Sequence, residues 1–272
     1  MEAPVQVLST GGDGGAIAIR LRALLHTIHR RARVTITVLV NEVFANTGFQ
    51  YSPAATPFAE TSTTPTGSES SGNLQPPLDY IHLAIAAGAE YVAQVSPAHG
   101  KLFVKVVERA LASQGTAVVF VPAPCITGWK FDDGRTIELA LLGARSGVFP
   151  AFLWERGKGG SVKDCERDAT ARPRVTEFLG AQRRFQHLVE KDPERGGYRT
   201  RAGREPEMAR LESGCRGTSS GSTGWPSSAS PPRNASAPAE DCRGAWRVVR
   251  RLKWVRPKGR LCQGDRRLEI GR

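Results

Sequence analysis

From Val5 to about Trp154, short runs rich in Val and Ile alternate with segments whose apolar residues recur at helical spacing. A chain patterned in this way is constrained to βαβ units, and so to a mostly parallel sheet flanked by helices. The first strand is read at Val5–Leu8 and is followed by a glycine turn at Gly11–Gly15. Ile17, Leu21, Leu24, Leu25 and Ile28 then share one helical face and predict a helix to about Arg31. Further strands are predicted at Val34–Val40, Tyr91–Val95, Ala117–Val121 and Ala151–Trp154, with helices at Leu78–Ala87, Lys101–Ala112 and Thr136–Arg145. Val175–Leu188 reads as a last amphipathic segment packed on the outside. The fold class is α/β, and no internal repeat is found.

After Glu190 the periodicity stops and Gly, Ser, Pro and Arg dominate. Such a composition buries too little apolar surface to offset its chain entropy, so one domain is expected over residues 1–190 and a disordered tail over residues 191–272. The net charge of +12 follows the same division: residues 191–272 hold 19 Lys+Arg against 9 Asp+Glu, whereas residues 1–190 hold 19 against 17. In the tail, Arg247, Arg250, Arg251, Arg256 and Lys258 interleave with Trp246 and Trp254, a pattern able to contact nucleic acid through phosphates and stacking. The same mixture of residues is what a GC-rich gene yields when read out of frame, and nucleic-acid binding is not expected.

Met1–Ser9 has no charged start followed by an apolar stretch, and no apolar run approaches the ~18 residues of a membrane span. A soluble, cytoplasmic chain without membrane contact is expected. The cysteines, Cys125, Cys165, Cys215, Cys242 and Cys262, are odd in number, widely spaced and free of any CxxC pair, which speaks against a disulfide framework or a zinc site. His26 and His29 lie beside Arg30 and Arg31 and read as a solvated helix face; His187 reads as a C-terminal cap. The sequon Asn234-Ala235-Ser236 lacks a secretory context.

Gly11-Gly12-Asp13-Gly14-Gly15 stands between a strand and a helix, where glycines let the backbone approach a phosphate and a helix N-terminus favours an anion. Neither the GxGxxG spacing of dinucleotide sites nor the Gly-Lys-Ser/Thr ending of a P-loop is present. An acid inside a phosphate turn is repulsive unless a cation lies between them, and magnesium suits a few protein oxygens plus phosphate oxygens. Asp13 is therefore a metal-ligand candidate. A second ligand is expected at the end of the neighbouring strand, where Asn41 stands. Gly12-Asp13-Gly14 followed, after residues 15–40, by Asn41 is the signature that recurs across thiamine diphosphate enzymes.

The segments that follow carry a more specific resemblance. Asn41-Glu42-Val43-Phe44-Ala45-Asn46-Thr47-Gly48-Phe49-Gln50-Tyr51-Ser52, then Ala55-Thr56-Pro57 and Thr61–Gly67, closely resemble the β subunit of pyruvate (2-oxoacid):ferredoxin oxidoreductases. So do Ala123-Pro124-Cys125-Ile126-Thr127-Gly128-Trp129, Thr136-Ile137-Glu138 and Arg184-Phe185-Gln186-His187-Leu188. The likeness runs from about Val5 to Leu188 and implies a thiamine diphosphate-binding fold. It implies that Asp13, the Asn41 side chain and the Val43 carbonyl hold Mg²⁺. Gly12, Gly14 and Gly15 would approach the diphosphate, with Asn46, Thr47 and Gly48 over the diphosphate and thiazolium. It further implies oxidative decarboxylation of a 2-oxoacid to acyl-CoA, with electrons passing through an iron–sulfur cluster to ferredoxin in a site shared with an α-type subunit.

Cys125 resembles a family position that supplies one thiolate to a [4Fe–4S] cluster, which needs four ligands and usually a CxxC run. The N-terminal segment that would carry the others is expected to be missing here, and a small buried thiol is the preferred reading. After the glycine turn the family's usual Asp-Ile-Gly falls on Ala18-Ile19-Arg20, so Arg20 is expected to crowd the diphosphate or to pair with it. The leading expectation is a β-type subunit of such an oxidoreductase. Its alternative is a catalytically inactive truncated fragment or binding module that keeps the fold.

Overall fold

The computed structural model describes residues 6–163, 172–192, 194, 197–205 and 208–209. Strand β1 spans Val7–Gly12, a π-helical turn covers Gly14–Ile19, helix α1 runs over Leu21–His29 and strand β2 over Val34–Val40. The long connection that follows holds two short strands, β3 (Val43–Phe44) and β4 (Gln50–Tyr51), joined by a 3₁₀ turn at Ala45–Thr47. Next come helix α2 (Tyr80–Ala86), strand β5 (Tyr91–Gln94), helix α3 (Lys101–Leu111), strand β6 (Ala117–Pro122) and the single-turn helix α4 (Ile126–Trp129). Helix α5 (Thr136–Arg145), strands β7 (Ala151–Glu155) and β8 (Gly159–Lys163), helix α6 (Val175–Gly180), and strands β9 (Val189–Lys191) and β10 (Tyr198–Thr200) complete the described chain.

Six strands form one sheet in the order β1-β2-β6-β5-β7-β8. The pairings β1 with β2, β2 with β6 and β5 with β6 are parallel, and β7 and β8 add an antiparallel margin. Strands β5 and β6 are buried at every position, because helices cover both faces of a parallel centre. Their side chains alternate with the period of two. Val118 and Phe120 enter one core with Ile17, Ile28 and Tyr80, while Val119 and Val121 enter another with Val106 and Ala110 of α3.

A third core, around Trp129, Phe149, Phe178, Phe185 and Leu188, fastens the chain after β8 to α5 and to Phe58 of the long connection. Trp129 stacks on Phe149 at 6.2 Å between ring centroids, and Phe178 meets both rings edge-on at 6.1 Å.

Several expectations are corrected. The first strand continues through Gly11 and Gly12, because parallel pairing from Val7↔Val34 to Gly12↔Leu39 uses backbone groups and needs no side chain. Strand β8 was not foreseen, and β7 runs antiparallel to β5. The segment Val175–Leu188 is a short helix and a 3₁₀ turn rather than one outer helix, with Phe178, Leu179, Phe185 and Leu188 at 0 % exposure. His187 follows the 3₁₀ turn at Arg183–Phe185, and its Nε2 lies 3.1 Å from the Ser71 carbonyl oxygen.

Past the boundary expected at residue 190, β9 and β10 pair as a hairpin and Met208 joins the third core. The remainder of the tail, including Trp246, Trp254 and Asn234, and the cysteines other than Cys125 lie outside the described residues. Among the described residues no helix is long and apolar enough to cross a membrane.

The third core gives a direct stability test. Phe178→Ala, which empties a fully buried ring site, is expected to destabilise the chain by about 3–5 kcal/mol. Ile137→Ala, on the exposed side of α5, should change stability by less than about 0.5 kcal/mol. Urea denaturation of both variants checks this, and similar losses from the two would contradict the packing described.

Candidate functional site

Parallel pairing of β1 with β2 brings their carboxyl ends side by side, so that Asp13 follows one strand end and Asn41 the other. Asp13 is 1 % exposed. The Ser52 hydroxyl donates to its Oδ2 at 2.6 Å, whereas its Oδ1 is buried with no hydrogen-bond partner. Burial pushes the carboxyl up from 3.8 to about 6 and the nearby Glu42 carboxylate adds to this; the Ser52 hydroxyl and the backbone N–H groups of Gly14 and Asn41 pull it down. The corner therefore contains a lone carboxylate oxygen in a desolvated setting, which a cation would satisfy.

The connection leaving β2 is bent around this corner by Glu42, a non-glycine residue at φ +65°. Asn41 Oδ1 accepts from the Val43 backbone N–H at 3.2 Å, and the Asn41 carbonyl accepts from Trp129 Nε1 at 2.8 Å. Glu42 points inward: its Oε1 accepts from the Thr56 N–H at 2.8 Å and the Thr56 hydroxyl at 2.6 Å, and its Oε2 lies 2.5 Å from Arg184 Nη2. Both partners of that ion pair are 0 % exposed, and burial lowers the Arg184 pKa while Glu42 opposes the shift. Tyr80, buried below, donates to Gln94 Oε1 at 2.8 Å, and burial raises its hydroxyl pKa.

Gly14 is set by close approach, since a Cβ there would stand 2.6 Å from Phe44 Cε1. Gly12 and Gly15 are exposed, as are Asn46 and Thr47 on the 3₁₀ turn and Gly48 at its end. Gly48 takes φ +114°, a left-handed conformation that suits glycine. Thr47 and Gln50 brace this turn, with the Thr47 hydroxyl donating to Gln50 Oε1 at 2.5 Å and Gln50 Nε2 to the Thr47 carbonyl at 2.7 Å. The exposed edge of the turn thus faces outward as a preformed loop.

Asp13 and Asn41 stand at neighbouring strand ends, with Val43 N–H bound to the Asn41 side chain, and carboxylate, amide and carbonyl oxygens are the donor types that magnesium takes. With Asp13 Oδ1 unpartnered, these residues fit a divalent cation together with a diphosphate. Among the described residues no group of three or more His, Cys, Asp and Glu could hold a metal. Arg20 is exposed beyond the π-helical turn, with its backbone N–H on the Gly15 carbonyl at 2.8 Å. Cys125 caps α4, its Sγ accepting from the Gly128 N–H at 3.3 Å. Ser52, Thr56, Arg184 and Trp129 were not singled out for the site; the buried charge of Arg184, hidden in an Arg183-Arg184 pair, was the signal available.

The raised Asp13 pKa sets a pH dependence in metal-free buffer. Between pH 3.8 and about 6 the folded chain holds a proton that the unfolded chain has released, so the Asp13 contribution to stability falls as pH rises through that window. Asp13→Asn should flatten the dependence and be more stable than the unaltered chain at pH 7. Urea denaturation of both at pH 5 and pH 7 measures the difference; parallel pH profiles would contradict it.

Residues 2–121 match the family described as thiamine pyrophosphate enzyme, C-terminal TPP binding domain. Pyruvate synthase subunit PorB of Methanocaldococcus jannaschii is 34% identical over 192 residues, which cover 70% of this chain and 63% of the relative. PorB of Methanosarcina barkeri is 37% identical over 185 residues, covering 68% of this chain and 61% of the relative. Ketoisovalerate oxidoreductase subunit VorB of Pyrococcus horikoshii is 32% identical over 192 residues, covering 70% and 60%. The chain thus spans rather less than two thirds of the length of these relatives. By its matched domain and these relatives, the chain is similar to the PorB and VorB subunits of thiamine pyrophosphate-dependent oxidoreductases.

Proposed function

We propose that this chain is the thiamine diphosphate- and magnesium-binding β-type subunit of a cytoplasmic 2-oxoacid:ferredoxin oxidoreductase. With an α-type subunit it would convert a 2-oxoacid such as pyruvate and coenzyme A into acyl-CoA and CO₂, and pass electrons to ferredoxin. The single observation that carries this reading is Asp13, a buried carboxylate with one unpartnered oxygen at the strand end beside Asn41. The subunit names of the relatives, pyruvate synthase and ketoisovalerate oxidoreductase, support the reaction class.

Asp13, Asn41 and the Val43 carbonyl would hold the metal, and the metal would neutralise the diphosphate against the carboxylate. When bound, thiamine diphosphate supplies the carbanion chemistry that decarboxylation of a 2-oxoacid requires. Gly12, Gly14 and Gly15 keep side chains out of the approach to the diphosphate. Asn46, Thr47 and Gly48 form the outward edge of the pocket and offer polar groups to the cofactor. Ser52 fixes the Asp13 rotamer through its 2.6 Å hydrogen bond, leaving Oδ1 for the metal. These residues would line one side of the cofactor site, and the exposure of Gly12, Gly15 and Asn46–Gly48 is consistent with a partner subunit closing the other. Cys125, engaged as a helix cap, is assigned a structural role; the [4Fe–4S] cluster of the family is not assigned to it.

Calorimetry on the full chain is expected to detect thiamine diphosphate binding in the presence of Mg²⁺, none after chelation, and none for Asp13→Ala. Equal binding by Asp13→Ala would overturn the site. Reconstitution with an α-type subunit should then give 2-oxoacid-dependent ferredoxin reduction, and cofactor binding without turnover would favour the inactive, fold-retaining reading.

A further inference from the structure

Glu42 stands between two proposed metal ligands, Asn41 and Val43, at φ +65°, a left-handed backbone conformation that is unfavourable for a non-glycine residue. Strain of this kind persists only where the surroundings over-determine it. Here three groups do so. Thr56 donates twice to Glu42 Oε1, Arg184 faces Oε2 at 2.5 Å, and all of these side chains are buried.

Arg184 is itself held. Its Nε donates to Gln182 Oε1 at 2.8 Å, and its guanidinium carbon lies 4.2 Å from the centroid of the Trp129 ring. Trp129 in turn donates Nε1 to the Asn41 carbonyl at 2.8 Å. The contacts close a circuit from the Asn41–Val43 bend through Glu42, Arg184 and Trp129 and back to Asn41. Stability alone does not account for a buried pair, because well-packed apolar replacements of such pairs are commonly as stable or more so. What the circuit does uniquely is fix the bend from two sides.

We infer that Glu42, Arg184 and Trp129 are positioning residues that hold Asn41 and Val43 in the geometry needed for the metal and diphosphate. The inference rests on the reading of this corner as the magnesium and thiamine diphosphate site. None of the three side chains is placed among the proposed ligands. They act through the backbone of Asn41, Glu42 and Val43, as outer-shell partners orient ligands in metal sites generally, where their loss typically lowers affinity 10–100-fold.

The test uses the full chain and two readouts, thermal unfolding without metal and calorimetric binding of thiamine diphosphate in excess Mg²⁺. Glu42→Gln leaves Arg184 buried and uncompensated, so both stability and affinity should fall. The double variant Glu42→Gln with Arg184→Met removes that uncompensated charge and should regain stability relative to Glu42→Gln, while its affinity stays about 10–100-fold below that of the unaltered chain. A purely structural role predicts that affinity returns with stability, and that result would overturn the inference. Should the double variant not fold, Trp129→Phe decides: it keeps an aromatic ring but lacks the donor to Asn41, and affinity equal to the unaltered chain would overturn the inference. If the unaltered chain binds and Asp13→Ala does not, failure of these variants to weaken binding sinks the positioning role alone. If the unaltered chain itself fails to bind, the site reading falls and the inference falls with it.

Discussion

Asp13 is almost fully removed from water, so its ionisation is costly and its pKa is pushed up to about 6, and among the described residues no positive charge offsets this. Ser52 satisfies one oxygen, and the neighbouring Glu42 carboxylate makes ionisation harder. The other oxygen is buried without a hydrogen-bond partner. The sheet creates this situation. Adjacent parallel strands end together, and the connection leaving β2 must turn back over the end of β1. A cation bridging protein oxygens and a diphosphate resolves the conflict, and the glycines around Asp13 leave space for the phosphate.

The connection that covers this corner is ordered by buried polar groups rather than by regular structure. Glu42, Thr56 and Arg184 form one cluster, while Asn73 donates through Nδ2 to the Ala55 and Gln75 carbonyls at 3.3 and 3.0 Å. Phe58 and Ala59 enter the aromatic core around Trp129, so the same core that secures the chain after β8 also secures the site loop. Packing and site geometry are therefore coupled: a change at Phe178 or Arg184 is felt at the bend of Glu42 through shared neighbours.

Much of the parallel framework was legible in the sequence, because alternation of Val-rich runs with helical periodicity reports burial directly; α5 at Thr136–Arg145 was bounded as read. The Asp13 and Asn41 pairing was legible for the same reason, since consecutive strand ends in such a sheet are neighbours. Other features were not. Strand β8 begins with Gly159-Gly160, which carry no periodic signal, and its pairing with β7 is a backbone matter. The turn of Val175–Leu188 into the core depends on burying Arg184, which local periodicity does not report. The distant Glu42 is the carboxylate that faces the buried Arg184, and a local pattern cannot supply a partner so far along the chain.

The ionisation of Asp13 itself is the most direct measure of whether its corner is a metal and diphosphate site. Carboxyl ¹³C NMR of the full chain, with the Asp13 resonance identified through Asp13→Asn, would follow its titration without metal and with Mg²⁺ plus thiamine diphosphate. The expected result is a midpoint of about 6 without metal that falls below the ordinary value of 3.8 when both are added. A titration of Asp13 unchanged by Mg²⁺ and thiamine diphosphate would contradict its assignment as the ligand on which the site depends.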